Sequence, residues 1–405
     1  MQNSKDVRRV DTCRGCGGHE FVDWLDLDKQ PLANALVDSA LLDKEKRYPL
    51  QVVYCIDCKL VQLKYIVDPD VLFADYVYFS STSPVFRKHF ENLAKQCFDE
   101  KLIGKDDLIV DIGSNDGIML KPFKELGARV VGVEPASTVA CKAIEDGIDT
   151  WPCYFNKDVG AEIGSERGYA KLVTMTNVFA HVDNLRNIIL GVKELLDPVH
   201  GNFVIEVPYL GNMVKDGTFD LVYHEHLSYF SKSTIASTLA HYGMRVSRID
   251  MIDVHGGSMR VYADFKPLPH NVTDEDINLH LTPAFTGFQE IVDEKRKQVV
   301  EQILKLKAQG KRIIGYGAPA KASTLLNYYR LSQYHIGYII DDSPAKQEKL
   351  IPGVHIPIVD VMGDQNYVDY VFIFAWNFKD SIIKKLKDQG YKGKFIIPFP
   401  TLEII

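Results

Sequence analysis

Short apolar runs alternate with helical stretches between about residues 106 and 268. Their length and β-branched content predict buried strands at LIVDIG, ARVVGVEP, LVTMTN and NFVIEV. Strands that are separated by helices in this way favour a parallel sheet with crossover helices. The pattern changes at the end of the region, where MRVSRIDMID and MRVYADF flank the turn HGGS, so we expect an antiparallel hairpin there.

Two further units flank this region. The first contains the closely spaced cysteines, and an aromatic-rich helical stretch follows it, with a helix predicted to begin at Pro84. The last unit begins with the amphipathic stretch FQEIVDEKRKQVVEQILKLKAQG and continues with a second alternation of strands and helices. We therefore predict an α/β protein with three domains, at residues 1–70, 71–283 (with 71–105 as a lead-in) and 284–405.

Charge and composition narrow the possible functions of the chain. The 405 residues carry a formal net charge of −7, and an acidic chain is a poor partner for nucleic acid. No apolar run approaches the ~20 residues needed to span a bilayer, so we expect no membrane partner. The start, MQNSKDVRRVDT, lacks the apolar core of a signal peptide, which predicts a cytoplasmic protein.

Four of the seven cysteines form two C-x-x-C pairs, Cys13–Cys16 and Cys55–Cys58. In a chain without an export signal such pairs favour metal ligation over disulfides. Four thiolates complete the tetrahedron of Zn²⁺ and leave no open coordination position, so the pattern predicts a structural zinc site. The alternative is a set of four free, buried thiols.

A glycine turn follows the first predicted strand of the central region. The strand ends at Asp111, the turn contains Gly113 and Asn115, and a second strand ends at Glu134 about twenty residues later. A carboxylate in that position can accept both hydroxyls of an adenosine ribose. The turn lacks the glycine cluster of a pyrophosphate site and is similar to the class I methyltransferase signature, which favours S-adenosylmethionine. An ordinary turn is the alternative.

Four titratable side chains stand together in Tyr223-His224-Glu225-His226, beyond the strand NFVIEV. A histidine flanked by a carboxylate and a phenol can remove a carbon-bound proton and stabilise the resulting oxyanion. His181, after the strand LVTMTN, is a second candidate near the same sheet edge. A hydrogen-bonded structural loop and a metal site at the two histidines of the segment are the alternatives.

The last unit has its own glycine turn, GYGAPA, which matches the dinucleotide pattern G-x-G-x-x-A. The next predicted strand ends in Asp341 and Asp342. From the residues alone, this unit is either a nicotinamide-dinucleotide site or a Rossmann-like unit without a ligand.

Taken together, these segments resemble the nucleotide-sugar C-methyltransferases of deoxysugar biosynthesis. The resemblance covers nearly the full length and includes the four cysteines, DIGSNDG, GVEP, DYVYFSSTS, YHEHLSYFS, HGGSMRVY and GYGAPAK. It implies a small zinc-binding domain, a central class I methyltransferase (Rossmann-like) domain and a second Rossmann-like domain that helps to enclose a nucleotide sugar. The implied reaction methylates C3 of a 4-keto-deoxyhexose carried on dTDP or GDP.

The resemblance also implies roles for individual residues. The implied catalytic set, with His226 as the favoured general base, is Tyr76, His181, Tyr223, Glu225 and His226. The implied S-adenosylmethionine contacts are Asp111, Gly113, Ser114, Asn115, Glu134, Phe155 and Asn177. The implied contacts to the sugar nucleotide are His224, Tyr316, Lys321 and Asn377.

Two other function classes remain open at this point. One is a catalytically inactive nucleotide-sugar-binding protein, and the other is an NAD-dependent oxidoreductase that uses the C-terminal unit. The expected partner is a keto sugar linked to a nucleoside diphosphate, and we expect the protein to act as a monomer.

Overall fold

A computed structural model describes the residues 6–72, 79–82, 84–254, 256–267, 278–363 and 365–405. Their strands form four sheets, of two, four, six and seven strands. Within these ranges, no helix combines the length and the apolar character that crossing a membrane requires.

The N-terminal unit is built from antiparallel strands. Its elements are β1 (Val7–Arg9), β2 (Phe21–Pro31), β3 (Arg47–Cys55), β4 (Val61–Leu63), β5 (Tyr65–Val67) and the short helix α1 (Pro69–Leu72). Strand β3 pairs with β2 on one side and with β4 on the other, while β1 pairs with β5. Side chains along the first half of β3 alternate between buried and more exposed positions, as expected for a sheet with one face in a core.

The four paired cysteines converge at one end of this unit. Their sulfur atoms all lie within 4.8 Å of one another, with 3.5 Å between Cys13 and Cys58 and 3.6 Å between Cys16 and Cys55. A tetrahedral zinc site with Zn–S bonds of about 2.3 Å requires sulfur separations of about 3.8 Å. The cysteines form no disulfide, so the cluster fits a Zn²⁺ ion with four thiolate ligands.

The central unit alternates strands with helices, as the sequence predicts. Its elements are α2 (Pro84–Asp99), β6 (Leu108–Ile112), α3 (Leu120–Glu125), β7 (Arg129–Val133), α4 (Ser137–Glu145), β8 (Asp149–Trp151), α5 (Lys157–Arg167), β9 (Leu172–Thr176), α6 (Leu185–Leu195), β10 (Asn202–Pro208), α7 (Leu210–Asp216), β11 (Ser228–Tyr229), α8 (Lys232–His241), β12 (Arg245–Ile252) and β13 (Ser258–Asp264).

Seven of these strands form one sheet in the order β12-β13-β10-β9-β6-β7-β8. Strands β6 to β10 are parallel, and β13 is antiparallel to both β10 and β12, which confirms the predicted hairpin. All five residues of β6 are buried, which accounts for its continuous apolar run. The chain proceeds outward from β6 to β8 and then returns to β9 on the other side of β6. The carboxyl ends of β6 and β9 therefore flank the switch point where α/β sheets bind ligands.

Strand β11 belongs to a different sheet from its sequence neighbours. Ser228 pairs with Gln62 and Tyr229 with Val61, so β11 forms the edge of the N-terminal sheet beside β4. The sequence analysis predicts no strand for this segment, because two residues without periodicity give no strand signal. Residues 228–229 form a strand because the edge of β4, far away in the sequence, is available for pairing. This pairing joins the histidine-rich segment to the cysteine unit.

The C-terminal unit contains a second, largely parallel sheet. Its elements are α9 (Pro283–Thr286), α10 (Phe288–Ala308), β14 (Ile313–Tyr316), α11 (Ala320–Tyr329), β15 (Ile339–Ile340), β16 (Ile358–Val359), β17 (Tyr370–Ile373), α12 (Lys379–Asp388), β18 (Lys394–Ile397) and β19 (Glu403–Ile404). The strand order is β16-β15-β14-β17-β18-β19, and β19 alone runs antiparallel to its neighbour among these strands.

One hydrophobic core joins the N-terminal and C-terminal units. The ring of Trp24 in β2 stacks on Phe288 of α10 with centroids 4.4 Å apart, and its Nε1 donates to the carbonyl oxygen of Phe285 at 2.8 Å. Phe219 and Val222, four residues and one residue before Tyr223, are buried in the same core. The three units therefore meet around the segment that contains the candidate histidines.

The cysteine cluster generates a first prediction. Cys55→Ser should release zinc and lower the free energy of unfolding by more than about 4 kcal/mol, because zinc binding contributes directly to folding. Metal per chain, measured by atomic emission, and urea unfolding would check this. Cys141→Ser is the matched control, since Cys141 is exposed and lies outside the cluster. A zinc-free Cys55→Ser protein with wild-type stability would contradict the prediction.

Candidate active site

The turn after β6 has a backbone that requires glycine at Gly113. This residue has a φ of +73°, and a Cβ atom built on it would lie 2.5 Å from the side chain of Val178. Asn115 also adopts a positive φ, of +50°, which asparagine tolerates better than most residues. The turn directs the amide of Asn115 at the carboxylate of Glu134, at 2.9 Å from Oε2.

Glu134, at the end of β7, is held by two backbone amides. Besides Asn115, the amide of Ala136 donates to Oε1 at 2.8 Å. The carboxylate is only 6% exposed, and burial raises its pKa while both amide donors act in the opposite direction. A carboxylate offers about four lone-pair positions, so two remain for the hydroxyls of a ribose. The geometry at Glu134 therefore fits the adenosine part of S-adenosylmethionine.

Asp111 and Ser114 lie beneath the turn. Asp111 is 2% exposed and accepts a hydrogen bond of 2.7 Å from the hydroxyl of Thr174, which joins β6 to β9. Burial raises the pKa of Asp111 to about 8. The Ser114 hydroxyl packs against Gly132 of β7 and has no hydrogen-bond partner among the described residues. Both predicted cofactor residues are thus placed to hold the turn in shape.

A short segment at residues 79–82 covers the turn. The amide of Ser80 donates to Asn115 Oδ1 at 2.9 Å, and that of Ser81 donates to Asp116 Oδ2 at 3.2 Å. Asp116 is 1% exposed, and its Oδ1 has no partner in the described part of the chain. Neither contact had a sequence signal, because they join segments 35 residues apart. Tyr76, the catalytic candidate from this stretch, lies outside the described residues.

Asn177 and Phe155, the remaining cofactor candidates, differ in position. Asn177 follows β9 at the switch point, is half-buried and has a φ of +56°, with its amide bonded to the carbonyl of Glu206 at 2.9 Å. Phe155 is 7% exposed, and its ring lies so close to Gly191 of α6 that a Cβ there would approach it to 2.7 Å. Asn177 therefore lies at the switch point, at the carboxyl-end edge of the sheet, and Phe155 lies in the core beside it.

Tyr223, His226 and His181 form the second part of the site. The Tyr223 hydroxyl lies 2.8 Å from His226 Nε2, and His226 Nδ1 lies 2.7 Å from the carbonyl oxygen of Leu221. A carbonyl only accepts, so we assign the proton of the neutral imidazole to Nδ1, and Nε2 accepts from the phenol. The rings of His181 and His226 meet edge to face with centroids 4.8 Å apart.

Two distant segments bring these histidines together. His181 ends a short 3-10 turn after β9, and His226 lies two residues before the start of β11. The amide of Leu227 donates to the carbonyl of Ala180 at 2.8 Å, so the residues adjacent to the two histidines are directly bonded. The sequence identified both histidines but gave no signal for this link.

Glu225 points toward the N-terminal unit. Its Oε1 accepts a hydrogen bond of 2.7 Å from the side-chain amide of Asn34, a residue that the sequence did not single out. Glu225 is 8% exposed, and burial raises its pKa to about 7, against the smaller opposite effect of Asn34. Near neutral pH this carboxyl can therefore be protonated and act as a hydrogen-bond donor.

His224 occupies a different environment from its neighbours. It is 1% exposed, and its Nε2 lies 3.3 Å from the carbonyl oxygen of Tyr48 in β3. Burial lowers its pKa to about 4, so the ring is neutral at physiological pH. This placement does not support the expected substrate contact, since the side chain has almost no exposed surface. Among the described residues, three or more possible metal ligands come together at the cysteine cluster. A metal site at His224 and His226 is therefore not supported either.

Two of the residues expected to bind the sugar nucleotide are joined. Lys321 Nζ donates to Asn377 Oδ1 at 2.6 Å and lies 4.4 Å from the ring centre of Trp376. Trp376 Nε1 in turn donates to Asp220 at 2.7 Å. Asp220 precedes Tyr223 by three residues, so this cluster connects the C-terminal unit with the histidine segment. Burial lowers the pKa of Lys321, and the charge of Asp220 opposes that effect.

The glycine turn of the C-terminal unit is partly occupied by the protein itself. The amide of Ala318 donates to Asp341 at 2.7 Å, and Pro319 has no amide hydrogen to offer. Tyr316, at the end of β14, is 5% exposed and donates to Asp342 at 2.9 Å, while Lys385 donates to its hydroxyl at 3.0 Å. The contact of Ala318 with Asp341 and the proline therefore leave this turn with fewer amide donors for an anion than a typical dinucleotide turn offers.

Comparisons with known proteins agree with this arrangement. Three family models match the chain: a zinc binding domain over residues 13–73, a methyltransferase domain over 85–248, and a C-methyltransferase C-terminal domain over 253–400. The C-methyltransferase NovU of Streptomyces niveus is 35% identical over 413 residues, which covers 98% of each chain.

Solved methyltransferase structures also align with part of the chain. The magnesium protoporphyrin IX methyltransferase of Synechocystis PCC 6803 with bound S-adenosylmethionine is 14% identical, covering 48% of this chain and 88% of its own, with a TM-score of 0.34. The glycopeptide N-methyltransferase MtfA is 12% identical, covering 44% and 94%, with a TM-score of 0.34.

The fold class is confirmed as a class I methyltransferase unit with an N-terminal cysteine cluster and a C-terminal unit built on a parallel sheet. S-adenosylmethionine and zinc, the two predicted cofactors, are confirmed with it. The near full-length match identifies an enzyme, as expected, rather than an inactive binding protein or an oxidoreductase. The chain belongs to the family of S-adenosylmethionine-dependent C-methyltransferases.

Proposed function

We propose that the enzyme methylates C3 of a 4-keto-deoxyhexose carried on a nucleoside diphosphate, in deoxysugar biosynthesis. The observation that supports this most directly is the pair formed by Tyr223 and His226, with His181 against it, in the loops that adjoin the switch point. A C-methyltransferase must remove a proton from carbon, and a histidine with a fixed tautomer beside a phenol is suited to that step.

The acceptor carbon is acidic because an adjacent C4 ketone can take up the charge as an enolate. In the proposed reaction the C3 proton reaches His226 Nε2 through the Tyr223 hydroxyl, which accepts it while passing on its own proton. The Leu221 carbonyl stabilises the resulting imidazolium through Nδ1. S-adenosylmethionine, when bound, supplies the electrophilic methyl carbon.

The developing oxyanion at C4 requires hydrogen-bond donors. His181, which contacts the ring of His226, and the protonated carboxyl of Glu225 are the proposed donors. Both donors are held by other parts of the chain, so they need little reorganisation when charge develops. Alignment of C3 with the methyl group would then supply much of the acceleration.

The sugar nucleotide is proposed to lie between the central and C-terminal units. Lys321 is the proposed cation for the diphosphate, and Asn377 holds its ammonium group at 2.6 Å. Asp220 connects this cluster to the loop of Tyr223 through Trp376. The proposed set leaves out His224, which is buried against Tyr48.

The proposal is tested by incubating the enzyme with S-adenosylmethionine and a panel of dTDP- and GDP-linked 4-keto-deoxyhexoses. We expect one panel member to gain a single methyl group by mass spectrometry, with carbon attachment at C3 by NMR. In D₂O without the cofactor, the same sugar should exchange its C3 hydrogen. Methyl attachment to oxygen, or no exchange at C3 of the true acceptor, would refute the mechanism.

His226→Asn should lower kcat by at least about 100-fold, because general acid–base catalysis contributes about 10²–10⁴. Affinity for S-adenosylmethionine, measured by calorimetry, should remain within about twofold, since the cofactor turn is built from other residues. Tyr223→Phe is the matched variant. It removes only the hydroxyl that bonds His226 and should also lower kcat. Wild-type turnover in His226→Asn would rule out the assigned base.

Glu225→Gln tests the burial of the carboxyl. The pKa of Glu225 in the folded protein, about 7, lies above the ordinary 4.5, because burial disfavours the ionised carboxylate. The contribution of Glu225 to the stability of the folded protein therefore declines as pH rises from about 4.5 to 7. Glutamine stays neutral and can keep the contact with Asn34. The Tm of the variant minus that of wild type should therefore rise over this pH range and then level off. A difference that is independent of pH would contradict the prediction.

A further inference from the structure

We infer that Arg14, inside the first cysteine pair, is a positioning residue that sets the distance between His181 and His226. The inference rests on the proposed function for its catalytic meaning, but its geometric content can be tested without a substrate. It gives the cysteine unit a part in the proposed chemistry.

Arg14 is buried and bonded on several sides. Its side chain is 2% exposed, although it lies between two metal-ligand cysteines near the surface of a small unit. Nη1 donates to the Leu227 carbonyl at 3.1 Å and to Gln62 Oε1 at 3.0 Å, while Nε donates to Asp183 at 3.1 Å. One planar guanidinium thus contacts three separate segments of the chain.

Two of these contacts lie directly beside the histidines. Leu227 follows His226, and Asp183 stands two residues after His181. The Leu227 amide is already bonded to the Ala180 carbonyl, so the peptide of Leu227 is held from both sides. Because Arg14 bonds both histidine segments, its position constrains the 4.8 Å separation between the two rings.

The arginine is itself fixed by the fold of the cysteine turn. Its backbone amide donates to Gln62 at 3.2 Å, and a Cβ on the adjacent Gly15 would lie 2.8 Å from the Thr238 hydroxyl, which shows how tightly α8 packs on the turn. The Leu63 amide donates to the same Leu227 carbonyl at 2.9 Å. Zinc ligation would therefore hold the arginine in one position.

Stability alone is a weak reason for this arginine. Burying a guanidinium costs free energy, and its Nη2 has no hydrogen-bond partner among the described residues. An apolar side chain of similar volume would fill the space without that cost. The geometry is better explained by the need to hold the Leu227 carbonyl and Asp183 in a fixed relation.

Arg8 provides a natural control. It also pairs with Asp183, but its side chain is 56% exposed and none of its observed contacts reaches Leu227. Arg8→Lys should therefore leave the spacing of the histidines unchanged. Arg14→Lys keeps the charge but lacks the planar group that bonds two segments at once.

The first test is kinetic and uses whichever sugar of the keto-sugar panel is methylated. Arg14→Lys should lower kcat by about 100-fold, the typical cost of misplacing reacting groups by about 1 Å. The KM for S-adenosylmethionine and the zinc content should stay at wild-type values, and Arg8→Lys should behave as wild type. A kcat in Arg14→Lys within twofold of wild type would overturn the inference.

The second test needs no substrate, so it separates this inference from the proposed function. Long-range ¹H–¹⁵N NMR of the full chain with ¹⁵N-labelled histidine reports the ring nitrogens, and His181→Gln and His226→Asn assign the signals. Arg14→Lys should shift the signals of both histidines, whereas Arg8→Lys should shift neither. Unchanged signals in folded, zinc-loaded Arg14→Lys would overturn the inference, even if no panel sugar were methylated.

A further variant covers the case in which Arg14→Lys does not fold. Asp183→Asn preserves the shape of the side chain that accepts from Arg14 Nε and removes its charge. We expect it to shift the His181 signal, with a smaller effect at His226. If neither signal moves in this variant, the link from Arg14 to the histidines is refuted.

Discussion

The pairing of two residues of β11 with β4 joins the segment of the candidate histidines, residues 223–226, to the N-terminal sheet. Residues 227–230 are held by this pairing and by two contacts with the central unit, from the Leu227 amide to Ala180 and from the Leu210 amide to Phe230. The pairing fixes Ser228 and Tyr229 against the cysteine unit, and the Leu227 peptide then bonds both Ala180 and Leu63. The N-terminal unit is therefore part of the framework that holds the candidate histidines.

Three buried carboxylates of the central unit, those of Glu134, Asp111 and Glu206, are stabilised in different ways. Glu134 is stabilised by two backbone amides, Asp111 by a threonine hydroxyl and a raised pKa. Glu206, 1% exposed in β10, accepts from Arg260 at 2.6 Å and lies 2.8 Å from His89 of α2. Glu134 keeps acceptor positions at the carboxyl end of β7 and is the carboxylate proposed to bind the cofactor, whereas Asp111 and Glu206 bond neighbouring elements of the sheet and helix layer.

The central and C-terminal units share one local hydrogen bond, between a carboxylate and the glycine turn. In each, a carboxylate at the end of the second strand accepts the amide of the preceding glycine turn, through Glu134 and Asn115 in one unit and Asp341 and Ala318 in the other. In the C-terminal unit a proline follows and removes a further donor. The shared hydrogen bond explains why that unit matches a dinucleotide pattern in sequence, and Lys321 in its following helix is the group proposed for an anion.

The sequence by itself determined six of the seven strands of the central sheet and the four-cysteine cluster, and it supplied the candidate residues of the site, because these depend on local periodicity and on spacings within one turn; the three-residue strand β8 gave no such signal. It also identified His181 and His226 separately. Only the tertiary structure decided that their rings meet, that His224 is buried against Tyr48, and that Asn34 bonds Glu225. These outcomes depend on strand edges and buried contacts between segments far apart in the chain, and no short-range pattern carries that information.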